Sequence, residues 1–562
     1  MSRRALGPSL CVATVCALLP MTPTSAQDDP TCADTDARQD DPRYLRSLSL
    51  DLRGTIPTVE ELAELKAGRT HEAFIDQWLD EPAFLDRAVM LHRDLLWNNV
   101  EDTNLITSSS TLQFAPAEDP GSSTSVCSSG SASATCTQRT YVRNNARAYR
   151  GEPVPCLDEP AQFDGEGNIL TTLQADGSRR EGWVLVRPYY YPPIIDPRDP
   201  PSEAELAWRP EEIKVCAFDA QETLVSPTGV PCGTLEGSME PACGCGPGLR
   251  WCSRGAVGEK PTALAFGDDL DRRIQAVLAD DRSYLDLFFD NTAQVNGPIA
   301  HFMRWQTEVV EDIRFEPSSY PLESLPEDLH YNDYDEWHTV ALGPEHAGIL
   351  TSPAYLMRFQ TRRARADRFF NAFLCRPFQP PGDGLPVGDD SDAYTLDLQN
   401  RDGCRDCHAI LEPTGAYWGR WPERSASYLT PAEFPDFDAS CALCAETNTS
   451  CSDACVRYYV TNLVSSESDD YAGMLQSLEF RLPEHVDNLI LGPKRLVTSA
   501  VADGRLPDCV SRTAAGWLLG RETTAEERPW LDELSADFVQ SGFSYRSLIR
   551  SVLTSPVYRS RR

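Results

Sequence analysis

The sequence predicts a mainly α, multi-domain fold that carries a disulfide-rich insertion of loops and short strands. Three observations predict it. Apolar residues recur at helical spacing near both ends of the chain and through its middle. Between residues 101 and 260 that periodicity gives way to Ser, Thr, Gly and Pro with cysteines at 127, 136, 156, 216, 232, 243, 245 and 252. A length of 562 residues is enough for two to four domains, each with a core.

Taken in order, Arg3 and Arg4 precede a mostly apolar run from Ala5 to Met21, and Thr24-Ser25-Ala26 offers small residues for cleavage. Residues 1–26 therefore read as a secretory signal peptide. No later stretch reaches the roughly 18 consecutive apolar residues of a membrane span, so no transmembrane segment is expected. The mature chain reads as exported, either periplasmic or extracellular. The full sequence has 19 cysteines, Cys11 and Cys16 of them in the signal, and those that remain fit an oxidising compartment. A net charge of −34 argues against nucleic acid and anionic membrane surfaces as partners.

Residues 27–100 follow a polar, acidic lead with a helical domain. Tyr44, Leu45, Leu48 and Leu52 lie on one helical face, Gly54 stops that helix, and Thr58 with Glu61 forms a capping box for the next. A third helix runs near Glu72–Leu79, and Pro82 breaks or restarts it. The C-terminal helical domain, 461–562, echoes residues 44–87. Leu52 to Glu61 matches Leu518 to Glu527, and Phe74, Ile75, Trp78, Leu79, Pro82 and Phe84 match Leu548, Ile549, Val552, Leu553, Pro556 and Tyr558 at identical spacing. Two such units, each too small to bury a full core, are expected to pack on each other or on the central helices.

The 101–260 insertion holds enough cysteines for up to four disulfides. Trp183-Val184-Leu185-Val186 and Tyr189-Tyr190-Tyr191 read as strand-like runs. The tyrosines favour packing over a sugar or aromatic ligand. The central helical domain, 261–375, has helices at Asp268–Asp280, Arg282–Phe289 and Ile299–Val310. An acidic, proline-bearing loop spans 312–345, and a long helix starts at Ser352-Pro353. Arg362, Arg363, Arg365 and Arg368 form a basic patch on that helix. Salt bridges to local acids are expected for it, with haem propionates or an anionic substrate as the alternative.

Residues 376–460 carry the clearest chemistry, Cys404-Arg405-Asp406-Cys407-His408. C-x-x-C-H is the attachment signature of a c-type haem. Thiols three residues apart on one helical turn can each form a thioether to a vinyl group, and the next residue supplies an imidazole to the iron. Two other uses compete: a plain disulfide, and a zinc site completed by Cys441 and Cys444. Six further cysteines, 375, 441, 444, 451, 455 and 509, suffice for three local disulfides. With haem on Cys404 and Cys407, one thiol elsewhere in the mature chain is left over.

Read in order, Leu52-Arg53-Gly54-Thr55-Ile56-Pro57-Thr58-Val59-Glu60-Glu61, the 346–356 segment His-Ala-Gly-Ile-Leu-Thr-Ser-Pro-Ala-Tyr-Leu, the Cys-x-x-Cys-His-x-x-x-Glu-Pro segment and the Leu519-Gly520-Arg521-x-x-Thr524 block resemble a known group. It comprises exported bacterial proteins of the planctomycete type, built from domains of unknown function associated with a cytochrome c segment. The resemblance covers 42–97, 346–425 and 509–560, and leaves the insertion unmatched. It implies one haem c per chain in an exported, mainly helical protein. Cys404 and Cys407 would be the thioether sites and His408 the proximal iron ligand. The group carries no established reaction.

The sixth iron position has several candidates. Met474 is the sole methionine after the motif and would raise the potential. His485 or His346 would lower it, and an open position would permit peroxide or oxygen chemistry. Trp418, with Trp421 and Tyr417, is expected at the porphyrin edge, and Arg420, with Arg401 and Arg405, at its propionates. One C-x-x-C-H excludes a di-haem arrangement within the chain. No H-E-x-x-H, G-x-S-x-G, phosphate-binding glycine loop or Rossmann fingerprint is present. Two functions remain: an exported mono-haem redox protein, passing electrons to an unknown partner or oxidising a substrate as a haem-dependent oxidoreductase, and a haem-free, disulfide-stapled extracellular binding or scaffold protein, for instance on polysaccharide.

Overall fold

The computed structural model describes residues 40–100, 159–173, 179–191, 211–234, 240–253, 256–307, 318–378, 403–449, 451–461, 469–475 and 483–560, with shorter pieces at 105, 110–114, 140–143, 156, 175, 237 and 398–399. The expected signal peptide, the acidic lead and Cys32, Cys127 and Cys136 lie outside the described residues.

Four helices open the described chain: α1 (Asp41–Arg53), α2 (Val59–Lys66), α3 (His71–Leu79) and α4 (Pro82–Leu96). Asp40 caps α1 by accepting the Arg43 amide at 2.9 Å. Gly54, at φ 73°, ends it in the left-handed region that a side chain would disfavour. The capping box of α2 is complete. Thr58 Oγ1 accepts the Glu61 amide at 3.2 Å, and Glu61 Oε2 accepts the Thr58 amide at 2.8 Å. Glu61 also takes both ends of the Arg53 guanidinium at 2.9 Å and the Trp78 indole N–H at 3.1 Å.

The middle of the chain supplies α5 (Ala256–Ala279), α6 (Gly297–Trp305), α7 (Pro353–Arg358) and α8 (Arg362–Leu374). Then come α9 (Arg405–Gly415), α10 (Ala439–Thr447), α11 (Asp453–Tyr458) and α12 (Pro483–Ala502), which is kinked at Gly492-Pro493. Last are α13 (Arg505–Leu519), α14 (Arg528–Gln540) and α15 (Tyr545–Thr554).

The C-terminal unit repeats the N-terminal one in its bonds as well as its letters. Gly520 ends α13 at φ 66°. Thr524 and Glu527 form a second capping box, and Arg521 pairs with Glu527 as Arg53 does with Glu61. The two units pack on each other. The Tyr44 hydroxyl donates to the Leu553 carbonyl at 2.6 Å, and the Tyr558 hydroxyl donates to Asp51 Oδ2 at 2.6 Å. Arg550 pairs with Asp76, Arg546 with Asp80 and Arg559 with Asp41 along the same seam.

Residues 44–105, 263–374, 411–426 and 496–558 contribute to one hydrophobic core, with Phe74, Trp78, Phe266, Ile274, Tyr355, Phe369, Val552 and Tyr558 all buried. Helices on both sides of the insertion thus share one core. Cys375 and Cys509 join the end of α8 to α13 across 134 residues. A cross-link closing so long a loop contributes on the order of 4 kcal/mol by restricting the unfolded chain. The expected third local bridge is therefore a long-range one.

The insertion has its own small cores. Strands β1 (Leu112–Phe114), β2 (Tyr141–Arg143), β3 (Trp183–Val186) and β4 (Ile213–Cys216) form a sheet in the order β1-β2-β4-β3. Disulfides Cys156–Cys216, Cys232–Cys243 and Cys245–Cys252 staple it. Inside it, Arg143 pairs with the fully buried Asp219 at 3.0 Å. Tyr189 to Tyr191 form a turn rather than a strand. The Tyr189 ring stacks on His301 of α6 at 3.9 Å and meets Tyr331 edge-on at 4.9 Å, so these aromatics fix the insertion to the helical core.

Two expectations for the middle of the chain are corrected. The 312–345 segment is not all loop: His338–Ala341 (β6) pairs antiparallel with Thr292–Val295 (β5). The helix expected from Ser352 is two helices. Phe359 leaves helical geometry at φ −104°, ψ 75°, and Thr361 caps α8 by accepting the Ala364 amide at 3.1 Å.

Two histidines inside the core tie its stability to pH. His92 is 1% exposed, with Nδ1 at the Ala88 carbonyl and Nε2 at the Tyr284 hydroxyl. Burial lowers its pKa to about 4. Burial, with the Arg273 and Lys494 charges, lowers that of His346 to about 3. In the unfolded chain both titrate near 6.5, so below that pH the unfolded state binds more protons and gains on the folded one. Stability is full above pH 6.5 and falls as the pH drops toward the folded values. By pH 5.5 the two histidines together should cost about 3 kcal/mol relative to pH 7.5. Urea midpoints at the two pH values check this, and equal midpoints would contradict it.

Candidate functional site

The motif opens α9. Cys404 is the N-cap residue, and its carbonyl accepts the Cys407 amide at 3.2 Å and the His408 amide at 3.0 Å. Residues 404, 407, 408, 411 and 412 share one helical face, which deepens along its length. Cys404, Cys407 and His408 are half-buried, whereas Leu411 and Glu412 are buried. Cys407 packs against the main core, and Ile410 on the outer face is exposed.

The cysteines sort into two groups. Twelve form the six described disulfides. Cys404 and Cys407 are free thiols, the only ones among the described residues. The structure thus lacks the Cys404–Cys407 bridge of the disulfide alternative. The zinc alternative loses its other two ligands, because Cys441 is bonded to Cys455 and Cys444 to Cys451. Asp438 lies close to the sulfurs of Cys441 and Cys455, but both thiols are committed to their bond and offer no thiolate to an ion.

At the base of the face, His408 Nδ1 lies 2.7 Å from Glu412 Oε1, one helical turn on. Arg363 Nε of α8 donates to the same oxygen at 2.5 Å. Glu412 is fully buried, and its Oε2 has no hydrogen-bond partner among the described residues. A carboxylate at Nδ1 sets the imidazole tautomer: the proton sits on Nδ1 and the lone pair on Nε2. These residues fit a c-type haem. Two thiols are spared from disulfides on one turn, and the adjoining imidazole keeps its second nitrogen for iron. The sequence signal for Glu412 was the four-residue step from His408 along a helix, which the motif reading passed over.

The structure places the other candidate residues differently. Trp418 is fully buried, donates its indole N–H to the Leu350 carbonyl at 3.0 Å and stacks beside Tyr355. It is a core residue, as is Trp421, whose ring meets His346 edge-on at 4.9 Å. Tyr417 is half-buried against that core. Arg420 is buried and donates to the Leu429 and Phe434 carbonyls at 2.8 and 3.0 Å and to Asp436. It ties down the following loop. Arg405 is exposed on the first turn of α9, and Arg401 lies outside the described residues.

The three expected distal ligands also separate. His346 is buried with Nε2 at the Ser319 carbonyl, 2.8 Å, and Nδ1 at Thr351 Oγ1, 3.4 Å, so both nitrogens are engaged in the core. Met474 bridges to Phe437 in a lobe stapled by Cys441–Cys455 and Cys444–Cys451, and no described contact links it to His408. His485 is buried at the start of α12. That helix packs on α9, where Asn488 Nδ2 donates to the Pro413 carbonyl at 2.8 Å.

The arginine patch is mostly structural, and its main partners are carbonyls where salt bridges were expected. Arg365 is fully buried and donates to the carbonyls of Phe359 (2.9 Å), Trp421 (2.6 Å), Leu356 (3.3 Å) and Pro422 (2.8 Å). Arg368 donates to the Asp94 carbonyl and lies over the Trp97 ring at 4.2 Å. Burial lowers the pKa of Arg362 to about 10, opposed by the Glu423 and Glu412 charges. Arg365→Met removes the cation and strands four buried carbonyls, and should cost about 3–5 kcal/mol. Arg365→Lys should recover little, since an ammonium cannot span that fork of acceptors. Arg550→Ala, at the exposed ion pair with Asp76, should cost under about 1 kcal/mol. Urea unfolding of the three variants checks the order.

No family model, curated protein or solved structure matches this chain.

Proposed function

We propose that this chain is an exported mono-haem c-type redox protein. Cys404 and Cys407 would hold the haem as thioethers, and His408 Nε2 would ligate the iron. The observation that carries the reading is the selective sparing of these two cysteines. Every other described cysteine is in a disulfide, while this pair stays free on the first turn of α9 beside an imidazole of fixed tautomer.

When bound, the group supplies a one-electron couple. The chain's own part is to hold it. The half-buried turn offers the attachment points, the Glu412 carboxylate holds the imidazole, and α12 backs α9. Export is supported by the disulfides, which belong to an oxidising compartment. No described helix is long and apolar enough to cross a membrane. The resemblance to planctomycete-type cytochrome-associated proteins points the same way.

The test is to export the full chain from a host with c-type haem maturation and to run a pyridine haemochrome assay after acid–acetone extraction. The expected result is a covalently retained c-type band, one haem per chain. Changing both Cys404 and Cys407 to Ala should abolish retention. No band, with Cys404 and Cys407 found bridged by mass mapping, would overturn the proposal in favour of a disulfide-stapled binding protein.

A further inference from the structure

Glu412 is an unusual partner for a ligating imidazole because of what surrounds it. It is fully buried, a burial that among the described carboxylates only Glu181, Asp219, Asp269 and Asp271 approach or share. Its described hydrogen bonds converge on one oxygen, Oε1, which faces both His408 Nδ1 and Arg363 Nε. The other oxygen is buried without a described partner. A buried carboxylate whose hydrogen bonds all fall on one oxygen, in a low-dielectric setting, is a strong acceptor toward the N–H it faces.

We infer that Glu412 is a positioning residue that holds His408 as an electron-rich proximal ligand and so favours the ferric form of the iron. The inference rests on the haem reading above. A carboxylate drawing on the Nδ1 proton raises electron density at Nε2, and a more basic ligand stabilises the more highly charged metal. The four-residue spacing along α9 makes the contact rigid, because donor and acceptor rise from the same helix. Arg363 opposes the effect. It competes for the same oxygen and withdraws density from it, so the pair sets the potential by balance. Arg363 lies on α8, and its side chain is 35% exposed, whereas Glu412 is enclosed. The cation can therefore be changed with little disturbance of the core.

The two residues predict opposite signs, which a merely structural role would not produce. Wild-type, E412Q and R363Q holoproteins are titrated potentiometrically at pH 7, and the ferrous-to-ferric ratio is read from the visible spectrum at one fixed poise. E412Q should raise that ratio at least tenfold, a 59 mV shift for a one-electron couple. R363Q should lower it at least twofold. E423Q serves as a control. Glu423 accepts the Arg362 amide at 3.0 Å and is not bonded to His408, so the ratio should move less than twofold. A ratio unmoved in E412Q, variants at 412 and 363 moving the same way, or E423Q moving as far as E412Q would overturn the assignment. If E412Q does not fold, R363Q decides: a lowered ratio supports the assignment, and an unchanged or raised one overturns it. A wild-type protein without a haemochrome band fails the haem reading itself. A full band with unmoved potentials removes only the role of Glu412.

Discussion

The guanidinium of Arg365 is the contact on which the surroundings of the Cys404–His408 turn depend. A buried cation normally needs a buried anion, because desolvation of an isolated charge is prohibitive. Here backbone carbonyls take that part. Two come from α7 and the break after it, Leu356 and Phe359, and two from the turn that follows α9, Trp421 and Pro422. The fork of donors suits acceptors that diverge, and no lysine could meet them all. Neighbouring bonds extend the seam. Trp418 donates to Leu350, the Arg424 amide to the Gln360 carbonyl and the Arg362 amide to Glu423. Residues 418–424 are thus stitched onto 350–362, and α9 is carried against α8 with its motif face beside Arg363.

A second constraint acts at larger range. The first and last helical units clasp through Tyr44, Tyr558 and a row of arginine–aspartate pairs, while Cys375–Cys509 ties α8 to α13. Exposed ion pairs of this kind add little stability. Their value is register: they align two amphipathic surfaces whose burial supplies the free energy. With both ends fixed on one core, the cysteine-rich excursions can branch from it without being needed to complete it. That explains why both excursions carry their own disulfides. Each is too small to be held by apolar burial alone.

Much of this was legible in the sequence, and the parts that were share a cause. Capping boxes, stop glycines and the C-x-x-C-H turn are local, so a few letters settle them: Thr58 with Glu61, Gly54, and Cys404 to His408 all fold as their spacing predicts. The internal echo was legible because it repeats both caps and core positions. The break at Phe359 was missed because apolar spacing runs straight through it, and only the Thr361 cap marks a new start. The strand at His338–Ala341 was hidden by its acidic surroundings, and it is fixed by its partner Thr292–Val295, which is distant in sequence. Trp418 and Arg420 follow the motif closely in sequence, which is what suggests a place beside a haem. Their indole and guanidinium satisfy carbonyls that only the tertiary fold brings near, which no local spacing could announce.

The cysteine pattern gives the strongest physical case for the motif's chemistry. Two thiols three residues apart at a helix start are close enough to oxidise, and in an exported protein oxidation is the default. This chain bridges its other described cysteines, including a pair 134 residues apart and two nested pairs only 7 and 14 apart. A C-x-x-C pair kept out of that scheme fits the thioether attachment proposed above. The zinc site read from the sequence would draw on Cys441 and Cys444, and both are already bonded to other cysteines. Thioether attachment needs only what α9 already presents: both sulfurs on one turn, and an imidazole in the next position with its distal nitrogen left for a metal. The buried Glu412 carboxylate beneath that imidazole holds both His408 and the Arg363 guanidinium on one oxygen. His92 and His346 are held at backbone carbonyls instead, so the paired carboxylate sets His408 apart from these two core histidines.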